Sequence, residues 1–213
     1  KEGAQRPARP PRYYALLQGE WDRYLDWADR YLESTEFLAE SVPHIGPDHG
    51  PDQFAAFLGG EIKVSMDSPD TAWIEPWVDD WNATTIDLQE DNPVWKSILN
   101  YSARLAKLVR GRALVAVCDL HSNMDALLAM RGSERLSLDL YDCPEGVERA
   151  MRRVRALYQP IYNRLYEAGG MNADTGSIGW IPFWSDGRFA VVQCDFICLI
   201  SPEMARRYVI PAL

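Results

Sequence analysis

The stretch ALVAVCDLHSNMDALLAMRG, residues 113–132, decides how the chain is read. Six small or apolar residues run straight into Asp119 and His121, and an amphipathic segment follows that closes on Arg131 and Gly132. A buried parallel strand followed by a helix is written this way, because both faces of the strand are covered and its polar side chains collect at the carboxyl end. The pattern predicts a strand, a polar site and a helix, with Asp119 and His121 where α/β folds keep their chemistry.

On the amino-terminal side, Val94, Ile98, Tyr101, Leu105 and Leu108 recur at helical steps between Pro93 and the stop at Gly111. On the other side, a helix from Pro144 to about Ala168 carries Val147, Met151, Val154, Tyr158, Ile161 and Leu165 on one face, with Pro160 expected to kink or split it. RFAVVQCDF reads as a further strand, and SPEMARRYVIPAL as a helix with Ser201 as N-cap and Pro202 at its first position. Nearer the start, residues 13–42 read as one long or two short helices, followed by the turn-rich loop VPHIGPDHGPDQ. Phe54, Phe57 and Leu58 suggest a short helix stopped by Gly59 and Gly60, and EIKVSMD alternates like a strand. WIEPWVDDWNATTIDL reads as an irregular segment with room for a short strand.

This alternation predicts an α/β fold with a parallel sheet, and no linker divides it. Residues 1–13 are expected to be a flexible Pro-rich start, a loose extension rather than a binding arm, and residues 14–213 one domain. About four strand candidates are too few for a closed (β/α)₈ barrel, which needs roughly 250 residues. The expectation is therefore the amino-terminal part of a TIM barrel, incomplete at its carboxyl end.

Composition excludes several function classes. With 47% hydrophobic and 25% charged residues the chain is an ordinary globular sequence, and its formal charge of −9 argues against a phosphate-tracking, nucleic-acid-binding face. There is no apolar run of membrane-spanning length and no signal-peptide pattern, so the expected location is the cytoplasm. The four cysteines show no CxxC spacing, and those in apolar runs read as buried thiols. No zincin, P-loop or GxGxxG pattern occurs, and a three-His metal site would need every histidine in the chain, His44, His49 and His121.

Several side chains are candidates for chemistry. Asp119 and Asp195 each follow a cysteine at the end of an apolar run, and either faces a common pocket or caps the element that follows. His121 is a candidate acid or base, against a scaffolding role in its loop. Arg131 is a candidate for a substrate carboxylate, against an ion pair with Glu134 or Asp139. Of eight tryptophans, Trp73, Trp77, Trp81, Trp180 and Trp184 fall in expected loops, where aromatics suit a flat ring or a sugar.

ALVAVCDLHSNMDALLAMRGSERLSLDLYDCPEGVERAMRRV, the helix ending in EAGG and QCDFICLISPEMARRYVIPAL together resemble the uroporphyrinogen decarboxylase family, which includes corrinoid and coenzyme M methyltransferases. The resemblance spans residues 93–213 best and the earlier part loosely. It implies a (β/α)₈ barrel, decarboxylation of a tetrapyrrole in porphyrin biosynthesis without a cofactor, and a possible homodimer. In that reading Asp67, with Asp70 as fallback, is the pyrrole-binding aspartate, Asp119, His121 and Asp195 are catalytic, and Arg131, Trp180 and Trp184 bind substrate. The chain departs from the family pattern in lacking the early RQAGRY motif, in carrying Leu128 near the place of an active-site tyrosine, and in ending before the late histidine. The alternatives are a zinc-dependent methyltransferase acting on a corrinoid, and a carbohydrate-active barrel using Trp180 and Trp184 as a platform. For hydrolysis Asp119 and Asp195 would stand about 5 to 9.5 Å apart.

Overall fold

The computed structural model, which describes residues 5–11, 13–65, 67–68 and 71–213, begins with α1 (Tyr13–Leu17) and α2 (Trp21–Ser34). Described residues of the Pro-rich segment contact α2: the Tyr24 hydroxyl lies within hydrogen-bonding reach of the carbonyls of Pro10 and Pro11, and Arg6 stacks over Tyr31. Strand β1 (His44–Ile45), helix α3 (Gln53–Phe57) and strands β2 (Glu61–Val64) and β3 (Ala72–Glu75) follow. Next come α4 (Pro93–Val109), β4 (Leu114–Val115), α5 (Asn123–Arg131), α6 (Ser133–Asp142) and α7 (Pro144–Ala168). The chain finishes with β5 (Ser177–Ile178), β6 (Trp184–Ser185), a 3₁₀ turn (Asp195–Leu199) and α8 (Pro202–Met204), which continues through a π turn and a 3₁₀ turn to Ala212. Among the described residues no helix is long and apolar enough to cross a membrane.

Local chemistry accounts for the long helices. Asn92 caps α4, its side chain accepting from the amides of Val94 (2.8 Å) and Trp95 (3.1 Å), and Pro93 occupies the first turn, where no N–H is missed. The buried face is Val94, Ile98, Tyr101, Leu105 and Val109; Leu108, expected on that face, is half-buried beside it. Helix α7 runs unbroken through Pro160. Pro160 and Ala156 are both exposed, so the carbonyl left without a helical donor there faces water rather than the core. Ser201 caps α8 as expected, accepting from the Met204 amide at 3.2 Å.

α7 packs against both α4 and α5, and the main core gathers Trp95, Met124, Leu127, Met130, Val147 and Val154. A second cluster joins α2 to α4 through Tyr24, Ala28, Tyr101 and Leu105. The molecule is thus a mixed α/β structure dominated by helices. Its strands form three two-stranded pairings: β1 with β4 in parallel, β2 with β3 antiparallel and β5 with β6 antiparallel. One parallel bridge, Val117 to Gly179, links the end of β4 to the end of β5.

Two expected strands are corrected. EIKVSMD is not a member of the parallel sheet: Glu61–Val64 folds back on Ala72–Glu75 as a separate two-stranded hairpin, the short connection bringing that neighbour to it first. RFAVVQCDF forms no strand. Phe189 is held through its amide and carbonyl by the Tyr162 hydroxyl and by Ser177, and Asp195 opens the 3₁₀ turn. No closed barrel is present among the described residues.

The irregular segment after β3 is held by a half-buried polar clasp. Arg131 binds both carboxylate oxygens of Asp139 (2.7 and 3.0 Å) and donates to the carbonyls of Val78 and Asp79; Trp81 Nε1 also donates to Asp139, at 2.7 Å. Burial works against the Asp139 charge, but Arg131 and Trp81 outweigh it and hold the carboxyl below its ordinary value. Arg131→Met leaves that carboxylate unpaired and should destabilise the fold by about 3 kcal/mol in urea unfolding at pH 7. Asp139 contributes this stability fully above about pH 4, its unfolded range, and loses it as the pH falls through its lowered folded value. The difference between variant and parent should therefore shrink in acid.

Candidate functional site

Three parallel segments end at one place. The amides of Leu114 and Ala116 bond to the carbonyls of Pro43 and Ile45 on one side, and the Val117 amide bonds to Ile178 on the other (2.9, 3.0 and 2.9 Å). Beyond those bonds the backbone leaves the ladder, and residues 46–48, 116, 118, 119 and 180 line a cleft of about 780 Å³. Its side walls are aromatic, with Tyr13, Trp27, Tyr31 and Tyr101 from α1, α2 and α4 facing Trp180. Arg6 and Arg9, both exposed, stand at the rim, and Asp48 and Asp119 supply carboxylates within. A cleft at the carboxyl ends of parallel strands is where open α/β sheets bind ligands.

Asp119 is the least comfortable charge in the molecule. Its side chain is 14% exposed, and its Oδ1 is buried without a hydrogen-bond partner among the described residues. Burial raises its pKa most; His121 pulls the other way, while Asp48, Asp195 and Asp125 raise it further, to about 6. His121 lies alongside, Nε2 3.6 Å from Asp119 Oδ2 and Nδ1 3.8 Å from Asp52 Oδ1. Burial alone would lower the imidazole, but Asp52, Asp119 and Asp125 more than compensate and its pKa is raised. An acid that titrates near neutrality beside an imidazole favouring its proton is an arrangement suited to proton transfer.

The expectation that Asp119 or Asp195 caps the next element is not met. The residue before α5 is Ser122, and the Met124 amide is taken by Asn123 Oδ1 (2.8 Å), with Asn123 at φ 59°. Asp125 plays the role expected of its neighbours. Only 2% exposed, it accepts the backbone amides of Asp195 and Phe196, both at 2.8 Å, and so ties α5 to the 3₁₀ turn. The side chain of Asp195 is exposed and does not line the cleft, although its charge is felt at Asp119.

The other expected site residues separate. Asp67 is exposed in the turn of the β2–β3 hairpin, away from the cleft, because that hairpin replaces the expected sheet strand. Asp70 lies outside the described residues. Arg131 is engaged by Asp139 and is not a cleft residue. Trp180 lines the cleft, whereas Trp184 is exposed on β6 with its Nε1 on the Thr175 carbonyl (3.0 Å). His44 lines the cleft with Nδ1 3.0 Å from the Val42 carbonyl, and buried His49 is kept neutral, its pKa lowered to about 3 by burial. The thiols of Cys118 and Cys194 are pushed up by burial, the latter to about 11, so neither is a ready thiolate. Among the described residues, no three His, Cys, Asp or Glu side chains are grouped to hold a metal ion.

Sequence reasoning missed Asp48, Asp52, Gln53 and Asp125. The first three sit in the loop read only for its histidines, and the signal for Asp125 is an acid placed inside the otherwise apolar run MDALLAM.

Because the folded pKa of Asp119, about 6, lies above its unfolded value near 3.9, the folded chain binds more protons between those values, and Asp119 costs stability increasingly as the pH rises from about 4 to 6. Asp119→Asn should therefore be more stable than the parent at pH 7, by about 1 kcal/mol after allowance for solvent screening, and equal to it below about pH 4. Urea titrations at the two pH values check this; a loss of stability at pH 7 would return Asp119 to a structural role. Comparison of the chain with protein-family models, with curated proteins and with solved structures found no match.

Proposed function

We propose that this chain forms the substrate cleft of an enzyme of the uroporphyrinogen decarboxylase type, built on the opening strands of a (β/α)₈ barrel, and that the cleft takes a tetrapyrrole. The observation that carries this reading is Asp119, a buried carboxylate with an unpartnered oxygen at the end of a parallel strand, inside a large aromatic cleft rimmed by arginines. A cyclic tetrapyrrole offers the complement: flat faces for Tyr and Trp rings, acidic side chains for Arg6 and Arg9, and central N–H donors for a carboxylate. Parallel neighbours β1, β4 and β5, separated by helices, support the barrel reading.

In this reading ionised Asp119 faces the pyrrole nitrogens and stabilises the cation formed when a ring carbon is protonated. The C–C bond pair then flows into the ring as carbon dioxide leaves, a proton is taken up at the former carboxymethyl carbon, and the ring proton is released. His121, beside Asp119 but not among the residues that line the cleft, is drawn toward its protonated form by Asp52 and Asp119, and in this reading the first proton passes from it through water in the cleft. Asp119 thus takes over the role that the resemblance gave to Asp67, and no cofactor is required.

The test is titration of the chain with uroporphyrin by fluorescence, followed by decarboxylation of the reduced porphyrinogen. Asp119→Asn should lower the rate by at least about 10²-fold, while Asp195→Asn, whose side chain is outside the cleft, should leave binding intact. The rate should rise with pH through about 6 as Asp119 ionises and decline as His121 loses its proton. Absence of porphyrin binding together with uptake of a methylcobamide by the zinc-supplied protein would replace this reading with methyl transfer.

A further inference from the structure

We propose that Gln53 is a positioning residue, a buried amide that locks the two carboxylate-bearing loops of the cleft to each other and so sets where Asp119 stands. Gln53 is fully buried at the start of α3. Its Nε2 donates to Asp48 Oδ1 (3.1 Å) in the loop after β1 and to the backbone carbonyl of Asp119 (2.8 Å) in the loop after β4. Its Oε1 accepts the amide of His49 at 3.2 Å, so both N–H donors and one of the two oxygen lone pairs of the amide are used. No other side chain type of that length donates twice and accepts once without bringing a charge.

The alternatives available to the fold make this bond informative. The two strands already pair through Ile45 and Val115, so the sheet does not need a side-chain link to hold the loops together. What the link adds is orientation. It fixes the peptide following Asp119, from which the carboxylate projects beside His121, and it fixes Asp48, which accepts from both Gln53 and the Gly50 amide. Two acidic side chains entering one cleft repel each other, and a neutral double donor between their loops opposes that separation without neutralising either. Buried His49, with Nε2 2.9 Å from Ser97 Oγ, anchors the same loop to α4.

This inference deepens the reading of the cleft as the active site, but it is testable on the ligand-free chain. The groups facing Asp119 are His121 and Cys118 in its own loop, Asp48 in the loop after β1, Asp125 of α5, Asp195, and Tyr158 of α7; Asp52 faces His121. With three histidines in the chain, one of them buried and neutral, the imidazole of His121 can be followed by NMR across pH. In Gln53→Met the Asp119 loop is released, and the His121 titration should fall by about half a pH unit or more as its carboxylate neighbour withdraws. In the native chain the Gln53 side-chain amide protons should exchange slowly and shift in step with Asp119, near pH 6.

A folded Gln53→Met chain with an unmoved His121 titration would overturn the proposal, since a merely structural amide would change the melting temperature alone. Should that variant fail to fold, the native side-chain amide decides: protons that exchange freely and ignore the Asp119 step would overturn it equally. Where decarboxylation is measurable, the acidic limb of its pH profile should move in Gln53→Met. Absence of decarboxylation with the NMR result intact would reject the tetrapyrrole reading and leave the positioning role standing.

Discussion

Burial of residues 113–118 between two parallel neighbours is the constraint on which the rest of the molecule depends. Each backbone amide taken from water must find a carbonyl, and here the amides of Leu114 and Ala116 find theirs along β1, and that of Val117 finds its partner at the end of β5. With both edges used, the two faces must be covered: α4 packs on β4, and Tyr158 and Tyr162 of α7 line a small cavity with Val117 and Cys118 just beyond it. The ladder stops at Val117, and the chain beyond it has to meet water or ligand with its polar side chains. The cleft is the direct consequence of where that ladder ends.

The charges gathered there would not be selected for stability. Asp48, Asp125 and Asp195 all act on Asp119, which bears the cost because it is desolvated and has an oxygen with no donor. Asp125 shows the contrasting case: more deeply buried than Asp119, it is supplied with two backbone donors and serves to fasten the 3₁₀ turn. The difference between a structural and a chemically poised carboxylate in this chain is the number of donors aimed at it.

Much of the architecture was legible in the sequence. Helices over residues 93–109 and 144–168 follow from apolar spacing, from Pro93 at one start and Pro144 at the other, and from the glycines behind them, whereas the Asn92 cap is a finding of the structure. The short helix ending before Gly59, the Ser201 cap and the ion pair of Arg131 with Asp139 could also be read, the last as one of two alternatives. RFAVVQCDF could not, because alternation and apolarity describe a segment fit to be a strand, whereas a strand exists only where a neighbour offers its edge. EIKVSMD met such an edge, but in the hairpin with residues 72–75, and Asp67 was carried out of the cleft with it.

The sequence by itself determined the long helices, the Ser201 cap, and the position of Asp119 and His121 just after a buried apolar run, because those depend on residues within a few positions of one another. Only the tertiary structure decided that Asp125 would be the clasp, that Asp48 and Gln53 would join Asp119, and that Arg6 would reach the rim. These choices rest on contacts between residues tens of positions apart, where hydrogen-bond partners are assigned by which backbones the packing of α2, α4 and α7 brings together.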